Sequence, residues 1–314
     1  MTIMNRENPF DSMGPILKSN SLSEILKGSQ TDWVVEKHSA TAIIDSLPGQ
    51  VPVLAEPNPG VFVLTRNDTN AIIGSVGNRY SIIQNEDHAN LVETIAGLNS
   101  NSVYNGWVLN NGAVVGFTIK LDDISVGAEN LDVYFHIVNR HDGKGSLRGV
   151  INSLRNECTN VLSTGSTEFS IRHTISAKDR VIEAREALQD AVDCYSSLQE
   201  DLSWMLQLDM KDIVDVYSYI WPCPMLKGKA LSQWESRLEE ITEVWKTSPN
   251  LNNVRYTAYG VFNAITEWAQ WNRNFQGSKG NSEVQRLTRG REIIFGRSKE
   301  ISNKAFKAIV EIYG

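Results

Sequence analysis

The 314 residues carry 30 lysines and arginines against 37 aspartates and glutamates, a net charge of −7, with 41% hydrophobic side chains and only 9 prolines. At roughly 150 residues per domain this is one large domain or two smaller ones with enough apolar side chains for a core, which excludes a wholly disordered chain. The acidic balance also excludes a uniformly basic nucleic-acid glove. No apolar run approaches the roughly 18 residues of a membrane helix. Met1 to Gln30 is polar, with Arg6, Glu7 and Asp11 where an export signal needs an apolar stretch. Cys158, Cys194 and Cys223 are widely spaced and form no CxxC. They fit a reducing compartment, so a soluble protein of the cytoplasm that meets no membrane is expected.

In chain order, residues 1–30 read as a flexible tail in which Ser21 to Lys27 could form a short helix. A strand near Trp33 to His38 precedes a stretch punctuated by Pro48, Pro52, Pro57 and Pro59. Val61 to Arg66 and Ala71 to Ile83 are β-branched runs joined by Asn67-Asp68-Thr69-Asn70, which predicts a hairpin. Asn85 before Glu86 and Asp87 predicts a helix N-cap, with Leu91, Val92, Ile95 and Leu98 as the apolar face. Ser102 to Leu109 and Ala113 to Leu121 flank Asn110-Asn111-Gly112, a strong hairpin signal. Val133, Phe135 and Ile137 alternate with Tyr134 and His136, and the chain turns at His141-Asp142-Gly143-Lys144-Gly145 into Ser146 to Leu154.

After Ser176 the apolar period changes from 2 to 3.5. Val181, Ala184, Leu188, Ala191, Tyr195, Leu198, Leu202 and Met205 predict a helix of about 45 Å, with Ser176 and Asp179 as a capping box. Leu231 to Trp245 and Val254 to Trp268 repeat the pattern, with breaks at Pro222, Pro224 and Pro249. Gly277 to Asn281 reads as a linker and Ser298 to Tyr313 as a last helix with Lys304 and Lys307 exposed. The expectation is an α+β fold: residues 31–175 a mainly antiparallel sheet core carrying helices, residues 176–314 a helical region packed on it.

Charge is uneven along this layout. Residues 1–139 hold 7 basic and 15 acidic side chains (net −8), 140–185 hold 8 and 5 (+3), 186–270 hold 6 and 13 (−7), and 271–314 hold 9 and 4 (+5). Two basic segments could present one positive surface if the fold joins them, because charges are screened beyond about 8 Å.

The densest polar stretch runs from Arg140 through Lys144 and Arg148 to Arg155, and on to Arg172-His173. Its glycines would let backbone approach a phosphate while Arg140, Lys144, Arg148, Arg155 and Arg172 neutralise it. The spacing is not that of a nucleotide P-loop. His136, His141, Asp142, Cys158 and His173 are residue types that ligate zinc, but without HxxxH or HExxH spacing. His141 or His173 could act as a general base oriented by Asp142, which would suit phosphodiester cleavage. Tyr80, Tyr104, Trp107 and Tyr134 fall on predicted strands, where a sheet face could stack bases; each taken singly is more simply core.

These motifs resemble, in order, the phage- and plasmid-related proteins grouped as domain of unknown function 932. Val76-Gly77-Asn78-Arg79-Tyr80 with Gln84-Asn85-Glu86, then His141-Asp142-Gly143, Arg155 to Asn160, Arg172-His173-Thr174, Glu183-Ala184-Arg185, Asn263 to Trp268 and Ile294-Phe295-Gly296-Arg297 carry the resemblance over about residues 60–312. Thr159-Asn160 reverses the order expected for that pair. The resemblance implies a phage or mobile-element product acting in the host cytoplasm, with a layout similar to Rad52-like annealing proteins. It brings no assigned reaction and no cofactor.

The leading expectation is a non-enzymatic protein of phage recombination or replication that binds and anneals single-stranded DNA as a homo-oligomer. Its groove would be built from Arg140, Lys144, Arg148, Arg155 and Arg172, with Arg79 and Tyr80 nearby and Arg286 to Lys307 contributing if the C-terminus folds back. The alternatives are a metal-dependent nuclease using His141, Asp142 and His173, and a self-assembling or host-interaction protein without nucleic acid.

Overall fold

Two antiparallel sheets and a set of helices, seen in a computed structural model, are described over residues 7–17, 21–44, 53–98, 102–156, 159–163, 167–177, 197–225, 228–273 and 282–314. After a short helix α1 (Leu22–Gly28), the first sheet pairs β1 (Val35–Ser39), β4 (Val61–Arg66) and β5 (Ile72–Gly77), and a minor pair joins β2 (Ile43–Ile44) to β3 (Val53–Leu54). The predicted β4–β5 hairpin is present, its turn closed by Asn70 with a positive φ of 56°. β5 ends at Gly77, short of the expected Ile83, and the chain crosses through residues 78–84 into α2 (Asn85–Leu98).

The larger sheet is an antiparallel meander of β6 (Ser102–Leu109), β7 (Val114–Val126), β8 (Glu129–Arg140) and β9 (Leu147–Arg155). β10 (Val161–Leu162) and β11 (Thr167–Ile171) pair with the C-terminal and N-terminal ends of β9. Strand period 2 sorts its side chains onto two faces. Val115, Phe117, Ile119, Val133, Phe135 and Ile137 point into the main core, which α2 and the helical region complete. Trp107, Val114, Tyr134, Val138 and Leu154 point the other way into a second core.

That second face corrects the expected tail. Phe10 and Met13 are 0% and 4% exposed and pack there with Ile293 and Ile294. Asn105 Nδ2 donates to Phe10 O at 2.7 Å, and Asn8 Nδ2 donates to Tyr134 Oη at 3.0 Å. The segment covers sheet surface that would otherwise be wet and apolar.

The helical region contains α3 (197–207), α4 (Val214–Ile220), α5 (Lys229–Thr247), α6 (Ala258–Glu267) running into a π-turn at Trp268–Asn272, α7 (Ser282–Ile294) and α8 (Arg297–Tyr313). Every residue of α6 is buried, so it is the hub on which α5, α8 and β10 pack. The helix expected from Ser176 falls largely on residues 178–196, outside the described residues, as do Cys158, Cys194 and Gly277 to Asn281. Lys304 and Lys307 are exposed on α8 as expected. The fold is α+β. Among the described residues no helix is long and apolar enough to cross a membrane.

Candidate functional site

The polar motifs separate into two buried joints and one exposed groove. The first joint ties the small sheet to the large one. Gln84 pairs both ways with the backbone of Val35, its Oε1 accepting from Val35 N and its Nε2 donating to Val35 O, each at 2.9 Å. Asn85 does not cap α2 with its side chain. Its Nδ2 donates to Thr31 O and Trp33 O, and its Oδ1 accepts from His141 Nε2 at 3.0 Å. Asp87 instead accepts from Gln84 N at 3.0 Å at the start of the helix. His88 Nε2 donates to Ile137 O and His173 Nδ1 donates to Ser81 O. Tyr80 stacks on His173 with centroids 4.7 Å apart and donates its hydroxyl proton to Arg140 O.

Burial decides the charge of these rings. It pushes His88, His136 and His141 down to about 3, and His173 to about 4. They are neutral near pH 7, each of His88, His141 and His173 with its one N–H committed to a carbonyl oxygen. Asp142 orients neither His141 nor His173. It accepts from Arg140 and from Lys144 N, and these bonds with the nearby positive charges outweigh burial and hold its carboxyl below the ordinary value. The oriented base expected of His141 and Asp142 is therefore not formed. Among the described residues no three His, Cys, Asp or Glu side chains converge to hold a metal ion.

The second joint fastens the large sheet to the helices, and it claims Arg155. This side chain is 1% exposed. Nε donates to Glu129 Oε2 at 2.7 Å, Nη1 to Asn263 Oδ1 at 3.1 Å, and Nη2 to the other Glu129 oxygen. Tyr259 Oη donates to Glu129 as well, at 3.2 Å. Gln270 receives Val161 N and donates to Val161 O, and Ser302 does the same for Ser163, so side chains of α8 and the π-turn continue the sheet edge. A buried, fully engaged guanidinium cannot reach a phosphate, and Arg155 leaves the expected groove.

The groove lies on the second face of the large sheet, between the ends of β8 and β9 and the α7–α8 corner. One cavity of about 270 Å³ is walled by Arg140, Lys144 and Arg148 on the sheet side and by Phe295, Lys299 and Asn303 on the helix side. A second, of about 490 Å³, shares Arg140 and Phe295 with it and adds Arg291 and Asn110. The two thus adjoin at Arg140 and Phe295. Lys144, Arg148 and Arg291 are exposed and form no ion pair among the described residues. Arg140 is paired with Asp142 at 2.5 Å, and Glu292 and Glu300 also border the groove. Phe295 is 39% exposed and backed edge-on by Trp107 at 5.8 Å.

Segments far apart in sequence thus share one basic surface. Arg79 and Arg172 are exposed but wall neither cavity. Nor is the sheet a stacking platform: Trp107 and Tyr134 are each 1% exposed in the second core, and Tyr104 is packed beside Tyr134 and bonded to Asp11. In the sequence, Phe295 and Lys299 stand only as parts of a motif and a basic block.

A model of the family described as domain of unknown function (DUF932) matches residues 72–291, more than half of the chain. The chain belongs to this family. Searches of curated proteins and of solved structures found no match. In this DUF932 chain the matched span holds most of both joints and the sheet side of the groove, while Thr31, Trp33 and Val35 of the first joint, Ser302 of the second, and Phe295 and Lys299 of the groove lie outside it. Tyr80, Gln84, Asn85, His141, Arg155, His173 and Asn263, motif residues that carried the resemblance, are thereby accounted for as parts of the polar joints that hold this fold together.

Proposed function

We propose that this chain is a non-enzymatic single-stranded DNA-binding protein, phage-encoded, that holds a strand in the groove and promotes annealing as an oligomer during recombination or replication. The observation that carries the reading is the convergence of Arg140, Lys144 and Arg148 with Arg291 and Lys299 around the exposed ring of Phe295. Cations along a groove neutralise phosphates without reading sequence, and an aromatic face stacks a base.

Fluorescence anisotropy with a labelled oligothymidine at several salt concentrations tests it. Log affinity falls linearly with log salt, by about 0.7 per phosphate neutralised. Phe295→Ala weakens binding by about 1 to 3 kcal/mol with the slope kept, because stacking is removed and ion release is not. Absent binding, or affinity that ignores salt, contradicts the proposal.

A further inference from the structure

A separate cavity of about 570 Å³ opens in the helical region, sharing no wall residue with the groove. We infer that it binds a polyphosphate group, as an inorganic chain or on a nucleotide. Three elements send cations to it: Lys229 and Arg237 from α5, Arg273 from the turn after α6, and Arg297 from the first position of α8. One wall carboxylate, Glu240, faces them and already accepts from Trp268 Nε1 at 2.8 Å, and a second carboxylate, Glu292 outside the wall, is ion-paired with Arg273. Arg237 lies over the ring of Trp221, 5.1 Å from its centroid, and Arg273 donates to Glu292 and Ser298. Lys229 and Arg297 are exposed and form no ion pair among the described residues. Like charges lining one cavity repel, and a bound polyanion relieves that repulsion.

The backbone adds to the side chains. α5 begins after Gly228 and α8 after Gly296; neither glycine can offer a side-chain cap, and α5 has no acidic residue in its first turn. First-turn N–H groups left without an intrahelical partner suit an anion, and the helix dipole favours negative charge there. Ser232 and Ser236, one α5 turn apart on the cavity wall, supply hydroxyl donors. The volume is that of a small-molecule site. Because Arg237 already covers Trp221, the phosphates rather than a stacked base define the ligand. α8 divides the two sites, with Arg297 and Ile301 facing this cavity and Lys299 and Asn303 facing the groove.

Isothermal titration calorimetry of the full chain at about 0.15 M salt with tripolyphosphate, ATP and AMP tests the assignment without assuming that the groove binds DNA. Saturable one-to-one binding of tripolyphosphate and ATP is expected, with AMP weaker by about tenfold or more. ATP tighter than tripolyphosphate marks a nucleotide, and equal affinities mark the phosphate chain alone. Lys229→Gln and Arg297→Gln, both on exposed side chains, each weaken binding by about fivefold or more. The groove variant Lys144→Gln/Arg148→Gln leaves it within about twofold. No saturable binding, no effect of the two pocket variants, or an equal loss in the groove variant overturns the assignment.

Discussion

Arg148 and Arg155 lie on the same strand, β9, and their environments differ completely. Arg148 is exposed, its Nε donating to Ser146 Oγ at 2.9 Å, whereas Arg155 is enclosed with Glu129 and Asn263. Removing one partner of a buried pair leaves an uncompensated charge, so Arg155→Ala should destabilise the fold by about 3 to 5 kcal/mol. Arg148→Ala should stay within about 0.5 kcal/mol. Urea denaturation of the two variants checks this, and equal stabilities would contradict the burial assigned to Arg155. The buried histidines make a second residue-scale prediction. Their folded values, near 3 to 4, lie below the roughly 6.5 of an unfolded histidine. Below pH 6.5 the unfolded chain binds protons that the folded chain refuses. Stability is therefore fully present above about pH 6.5 and falls as the pH drops towards 4, by up to about 1.4 kcal/mol per pH unit for each ring. Urea midpoints should be level from pH 7 to 8 and decline from pH 6.5 to 5; a rise on acidification would show that these rings become charged in the folded protein.

Between elements, the β4–β5 hairpin docks on the turn after β8 through bare backbone. A Cβ on Gly74 would sit 2.6 Å from Asp142 Cα and 2.7 Å from His141 O, atoms that cannot swing aside. Gly74→Ala should cost about 1 to 3 kcal/mol by forcing the two sheets apart. Gly77→Ala, on the same strand with nothing nearer than Gly60 O at 4.0 Å, should cost far less. Thermal melts of both variants, followed by circular dichroism, decide between this docking and a hairpin held only by its own strands. The strands of both sheets were legible in sequence because alternation and turn residues are local signals; Asn110, Asn111 and Gly112, between β6 and β7, all take positive φ. The N-terminal segment was not, because Phe10 and Met13 are isolated apolar residues whose partners, Tyr134 and Ile293 among them, are far along the chain. Asn85 misled for a related reason. Its type and position fit an N-cap, but the Oδ1 that a cap would use accepts from His141 Nε2, fifty-six residues away, while its Nδ2 donates to the carbonyls of Thr31 and Trp33.

Across the whole molecule, the net charge of −7 hides the arrangement that matters, since the groove brings residues 140–148 of one basic segment to residues 291–299 of the other. Residue type and clustering made Arg140, Lys144 and Arg148 legible as a group. They could not separate Arg155, whose side chain bonds Asn263 of α6, from its neighbours, nor show that Phe295 would be an exposed aromatic on the groove wall. The proposal that both segments serve one strand of DNA is tested by the salt dependence of oligothymidine binding. Lys144→Gln/Arg148→Gln and Lys299→Gln, from opposite walls, should reduce the slope of log affinity against log salt by about 0.7 for each phosphate left without its cation, and Lys246→Gln, exposed on α5 away from the groove, should leave it unchanged. Slopes that are the same in all the variants, or that drop as much for Lys246→Gln as for the groove residues, would contradict it.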